Sequence, residues 1–65
     1  MATVRELREK LVLTQGELAE KAGIGRMTII RMEGNKPLRY RPSTIRKLGR
    51  ALRVKPTEID LPPRA

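Results

Sequence analysis

Arg26 and Arg31 lie five residues apart in the stretch KAGIGRMTIIRME, residues 21–33. On a helix both positions fall in its first two turns, from which the two long side chains can reach one groove. Each guanidinium is a planar fork of N–H donors, suited to gripping acceptors in pairs. Other chemistry is poorly supplied. The chain has no Cys and no His, so the commonest metal ligand and general base is missing and no nucleophile–base pair can be assembled. Neither an enzyme nor a metal or cofactor site is expected.

The charge pattern points the same way. The formal net charge is +8 over 65 residues. From Gly34 to Thr57 there is no acidic residue but there are eight basic ones, Lys36, Arg39, Arg41, Arg46, Lys47, Arg50, Arg53 and Lys55. Residues 1–33 are nearly balanced. A one-sided field of this kind suits a polyanion or an anionic membrane surface; the plainer reading is a solubilising face. No apolar run approaches ~18 residues and no signal-peptide pattern stands at the start, so a soluble, intracellular chain is expected.

The elements that would hold these groups are short. Thr3 with Glu6, and Thr14 with Glu17, have the spacing of capping boxes that open helices. Val4, Leu7 and Leu11 make the apolar face of the first helix; Leu18, Ala19 and Ala22 make that of the second. Gly23 suits a left-handed cap. Gly25 is a mediocre N-cap for a third helix with Ile29 and Met32 inward, ending at Gly34-Asn35. A basic connector, Lys36 to Arg41, leads to a fourth helix opened by Pro42, with Ile45, Leu48, Ala51 and Leu52 inward. Pro56-Thr57-Glu58 starts a fifth helical turn with Ile59 inward, and Pro62-Pro63 stops it, leaving residues 62–65 frayed. No segment alternates with period two. The expected fold is all-α, five short helices in a single domain spanning residues 1–65 with its core at 3–61.

Two glycines flanking Ile24 break one helix and restart another at once, the shape of a helix-turn-helix unit. With Ile29 and Met32 committed inward, the outer side carries Arg26, Met27, Ile30 and Arg31. A helix of this size fits the DNA major groove, entering by its N-terminal end.

From about Val4 to Ile59 the sequence resembles the family of phage repressors, Cro proteins and xenobiotic-response-element-type bacterial regulators. The stretch LTQGELAEKAGIGRMTIIRMEG carries the resemblance, and the later TIRKLGRALRV is similar to the family's fourth helix. The resemblance implies a five-helix DNA-binding domain, usually dimeric on a pseudo-palindromic operator. It places Arg26, Met27 and Arg31 where the family reads bases. Gln15 would hold a phosphate at the start of the second helix, with Thr28 beside the backbone. Asn35, Lys36 and the connector residues Arg39, Tyr40 and Arg41 would grip phosphates on the far side of the groove. Arg8 and Glu33 match a structural ion pair between the first and third helices.

Some positions stay open. Tyr40 could donate its hydroxyl to a phosphate or close the core as a lid. Ile30 could meet a thymine methyl or pack on the connector or a partner. The sequence also departs from the family pattern. Val12 stands where glycine is common, and a β-branched residue resists a left-handed cap, so that turn is expected to differ. Arg53 replaces another glycine, Gly25 replaces a Ser or Thr cap, and Gly49 inside the fourth helix costs ~1 kcal/mol.

The expected function is a cytoplasmic, nucleoid-associated, sequence-specific regulator of transcription, a repressor binding double-stranded DNA as a weak or DNA-driven homodimer. Its pairing surface is expected around Leu52, Val54, Ile59 and Leu61. An antitoxin that binds a toxin partner and its own operator is the alternative. RNA binding fits less well, because single-strand recognition wants stacking aromatics and the chain has one tyrosine.

Overall fold

The computed structural model describes residues 2–34 and 40–61. A short strand, β1 (Ala2–Thr3), leads directly into α1 (Val4–Lys10). Then follow α2 (Gln15–Ala22), α3 (Arg26–Glu33) and α4 (Pro42–Leu52). A 3-10 turn (Pro56–Glu58) runs into β2 (Ile59–Asp60). α2 is the central element: it packs against α3 on one side and α4 on another, while α1 packs on α3.

Two expectations need correction. The fifth helical turn is a single 3-10 turn, so the described residues form four α-helices. The fold is also not purely α: β1 and β2 pair in parallel, Ala2 opposite Ile59 and Thr3 opposite Asp60. Each strand is two residues long, too short for any side-chain period to register. The pairing satisfies backbone groups beside the buried Ile59. The proposed fraying of residues 62–65 lies outside the described residues.

The helix starts follow from side-chain chemistry. Thr3 Oγ1 accepts from Glu6 N–H, and Glu6 accepts from Thr3 N–H. Thr14 and Glu17 repeat the arrangement at α2. In both boxes the backbone N–H of the threonine, then its hydroxyl, holds the glutamate's pKa below the ordinary carboxylate value. α3 and α4 have no side-chain cap; α4 starts instead with Pro42, whose fixed φ and missing donor suit a first turn.

Three helix ends use one device. After α1, Val12 N–H donates to Glu9 C=O and Leu13 N–H to Arg8 C=O. After α2, Gly23 donates to Glu20 and Ile24 to Ala19; after α4, Arg53 donates to Arg50 and Val54 to Gly49. These are Schellman caps, with Val12, Gly23 and Arg53 at φ 56, 69 and 60. The residue after each cap, Leu13, Ile24 or Val54, packs on the core. The expected deviation at Val12 therefore does not occur. The left-handed conformation costs a β-branched residue about 1–2 kcal/mol, and two hydrogen bonds plus burial of Leu13 offset it.

The core comprises Val4, Leu18, Ala19, Ala22, Ile29, Met32, Leu48, Ala51, Leu52 and Ile59, with Leu7, Leu11, Tyr40 and Leu61 partly buried around it. Leu52 and Ile59, expected at a pairing surface, are buried within the monomer. A chain this small needs both to close its core. Gly49 is also buried. A Cβ there would stand 2.9 Å from Val54 C=O and 3.3 Å from Pro56 N, so the turn back from α4 passes directly over it.

Candidate nucleic-acid interface

α3 is held by its inner side and presents its outer one. Ile29 is fully buried and Met32 nearly so, fixing the helix against α2. The cap geometry at Gly23 and the core contact of Ile24 set the turn between α2 and α3. What remains outward is Arg26 and Met27 in the first turn and Arg31 further along, all exposed. Met27 is 58% exposed, and apart from Val12 it is the one large apolar side chain so placed among the described residues. An apolar group left in water beside two arginines has no structural task visible in the fold.

The first residues of α2 complete this surface. Gln15 shares a cleft with Arg8, Thr14, Gly16 and Arg26. It also borders a second cleft with Arg5, Arg8, Ile30, Glu33 and Gly34. The N-terminal end of α2 thus faces the same open side as the start of α3. Its free N–H groups carry the positive end of the helix dipole toward that side.

Beneath the surface, Arg8 and Glu33 tie α1 to α3. Arg8 Nε donates to Glu33 Oε2 at 2.6 Å and Nη2 donates to Oε1 at 2.9 Å. Arg8 Nη1 donates to the Leu13 carbonyl at 2.7 Å. The side chains retain 13% and 6% of their exposure, so solvent screens the pair weakly. The hydrogen bond to Glu33 raises the Arg8 pKa further, against the cost of burial. Gln15 Nε2 donates to Glu33 Oε1 at 3.2 Å. The carboxylate therefore also orients the Gln15 amide.

Thr28 is half-buried, its Oγ1 close to the Gly25 backbone; Ile30 is half-buried at the rim of the second cleft. Arg41 is exposed at the N-cap of α4. Tyr40 is half-buried and packs on the core. Its hydroxyl is enclosed without a hydrogen-bond partner among the described residues. Burial raises the Tyr40 pKa, and the positive charge of Arg31 nearby works against that shift. Asn35, Lys36 and Arg39 lie outside the described residues.

One residue was missed in the sequence. Arg5 borders the cleft with Gln15 and Ile30, and its loose pairing with Glu9, at 3.6 Å and largely exposed, leaves it available. The signal was its position three residues before Arg8, on the same side of α1.

Among the described residues no helix is long and apolar enough to cross a membrane. No solved structure matches the chain. A protein named as an uncharacterized HTH-type transcriptional regulator in Methanothermobacter thermautotrophicus (strain Delta H) is 49% identical over 51 residues, covering 75% of this chain and 70% of that protein. The sequence model of the helix-turn-helix family matches residues 4–59. With α2 and α3 joined by the tight turn at Gly23–Gly25, and with that match across nearly the whole chain, the protein belongs to the Cro/C1-type helix-turn-helix family.

Proposed function

We propose that the protein is a sequence-specific double-stranded-DNA-binding regulator of transcription, acting as a repressor, with α3 in the major groove. The observation that carries this reading is the division of α3. Ile29 and Met32 are buried, while Arg26, Met27 and Arg31 stand exposed beside the N-terminal end of α2. Arg26 and Arg31 would grip guanine edges and Met27 a thymine methyl. Gln15, Thr28, Arg41, the connector residues Asn35, Lys36 and Arg39, and Arg5 would hold phosphates. For Tyr40, the packed ring and enclosed hydroxyl favour the lid over the phosphate contact.

One such helix covers few base pairs, and two copies related by a two-fold axis would place their α3 helices about 34–36 Å apart. With Leu52 and Ile59 buried in the monomer, the half-buried Val54 and Leu61 are what remain of the expected apolar pairing surface. Pairing through so little apolar area, between strongly cationic chains, would depend on the operator. Selection of bound sequences from a random duplex pool tests the reading. Enrichment of a palindrome supports it; tight binding with no enrichment overturns it. Sedimentation on the selected duplex should give two proteins per site, and one per site at saturation would rule the dimer out.

A further inference from the structure

A second concentration of positive charge lies away from α3. A shallow groove between the C-terminal end of α2 and the outer side of α4 is lined by Lys21, Lys47, Arg50 and Arg53, with Ala22 and Ala51 at its floor. Around α4 it meets a second depression bordered by Arg46, Arg50, Arg53 and Lys55, where Glu58 is the acidic neighbour. All six cations are exposed. The ion pairs found among the described residues, Arg5–Glu9 and Arg8–Glu33, involve none of them.

α2 separates this surface from the recognition side. Gln15, its first residue, shares a cleft with Arg26, whereas Lys21, in its last turn, borders the α4 groove. The helix between them is about 12 Å long. Charge that served only solubility would be expected to be mixed in sign. Here Arg46, Arg50 and Arg53 recur at spacings of four and three, forming a row about 10 Å long on one face of α4 and its cap.

We propose that this face binds the phosphates of a second duplex segment, so that one protein joins two stretches of DNA. The row matches the axial rise of three to four phosphates on one strand, about 3.4 Å each. An acidic protein is the poorer occupant. Protein interfaces draw their affinity from buried aromatic and other large anchors and are depleted in Lys, and these grooves offer Ala, Val and Pro beside three lysines. Two copies of the cationic row itself would repel each other; the pairing proposed above would use Val54, at the edge of this surface, and Leu61, which does not line it. The choice of a duplex rests on the DNA-binding reading of α3, but the test below leaves α3 unchanged and captures random sequence, so the two can fail separately.

The test uses the full chain and a triple variant, Arg46→Gln, Lys47→Gln and Arg50→Gln. These helical positions are exposed and glutamine keeps their helix propensity; a matching thermal midpoint verifies the fold. An immobilised duplex is saturated with protein at low salt, washed, and offered a labelled second duplex of random sequence. The wild type should retain the second duplex and the triple variant about tenfold less, with the dependence of capture on log salt flattened by up to about three units. First-duplex affinity should change less than capture. Equal capture by both proteins, or none by the wild type, overturns the proposal. So does capture that is lost in Arg26→Ala/Arg31→Ala but kept in the triple variant, which would assign bridging to the two α3 helices of a dimer. Capture of polyglutamate in preference to duplex overturns it in favour of an acidic protein partner.

Discussion

Arg8 of α1 closes on both carboxylate oxygens of Glu33, the last residue of α3, at 2.6 and 2.9 Å. The same carboxylate accepts from Gln15 at the start of α2, and the same guanidinium holds the Leu13 carbonyl between α1 and α2. One ion pair thus fixes three helices around the cleft that opens beside Arg26. Its removal should be felt in stability and in the placement of α3.

Glu33→Ala should lower stability by about 1.5–3 kcal/mol, the range for hydrogen bonds to charged groups, because it leaves a weakly exposed guanidinium without its partner. Thermal unfolding of Glu33→Ala, Arg8→Ala and the double variant measures the coupling. The double variant should lose less than the sum; additive losses would mean that the two side chains contribute independently.

Arg26→Ala and Arg31→Ala should each cost about 1–3 kcal/mol on the preferred duplex and relax the preference at one base pair per half-site. Lys36→Ala should weaken all duplexes alike and lower the salt slope by about one unit. Equal weakening of specific and random DNA by Arg26→Ala would remove it from the base readers.

Val12 is 87% exposed at φ 56, so replacing it loses little packing. Val12→Asn, better suited to the left-handed region, should stabilise the fold by about 0.5–1 kcal/mol, which a domain of this size registers as several degrees in Tm. A lowered midpoint would show that the valine methyls contribute contacts of their own.

Two glycines inside helices should respond with opposite sign. At Gly16 a Cβ meets nothing nearer than Thr14 Oγ1 at 4.0 Å, and Gly16→Ala should gain about 0.4–1 kcal/mol by restricting the unfolded chain. At Gly49 the Cβ would press on the Val54 carbonyl at 2.9 Å, and Gly49→Ala should cost about 1–3 kcal/mol despite its better helix propensity. Denaturant midpoints of the two variants check the contrast.

The capping boxes make stability sensitive to acid. The Glu6 and Glu17 pKa values are depressed below 4.5 in the fold. Their contribution is therefore full above the unfolded value and is lost as pH falls through the lower folded values. Urea midpoints measured from neutral pH down to about pH 3 should fall below about pH 4.5. Glu6→Gln/Glu17→Gln should flatten that fall; an unchanged slope would place the acid sensitivity in other carboxylates.

Much of the fold was legible in the sequence because helix starts and stops are local chemistry. Thr3, Thr14, Gly23 and Pro42 act on backbone groups a few residues away, and they stand where the helices begin or end. The apolar spacing of Leu18, Ala19 and Ala22, and of Ile29 and Met32, likewise chose the buried sides of α2 and α3. By exclusion those patterns left Arg26, Met27 and Arg31 outward.

Tertiary structure decided what depends on distant partners. The β1–β2 pair joins residues more than fifty positions apart and leaves no local pattern. Val12 and Arg53 adopt a conformation that their own side chains disfavour, because the next residue in each case is drawn onto the core. Gly49 read as a weak point in a helix, yet the chain folding back at Val54 and Pro56 makes it a requirement. Leu52 and Ile59 had apolar character enough for an interface, and only packing showed that the monomer uses both. Arg5 joined the cleft through the placement of α1 against α3. In each case the sequence determined a local preference, and the free energy of burial and of non-local hydrogen bonds determined whether that preference was kept or overridden.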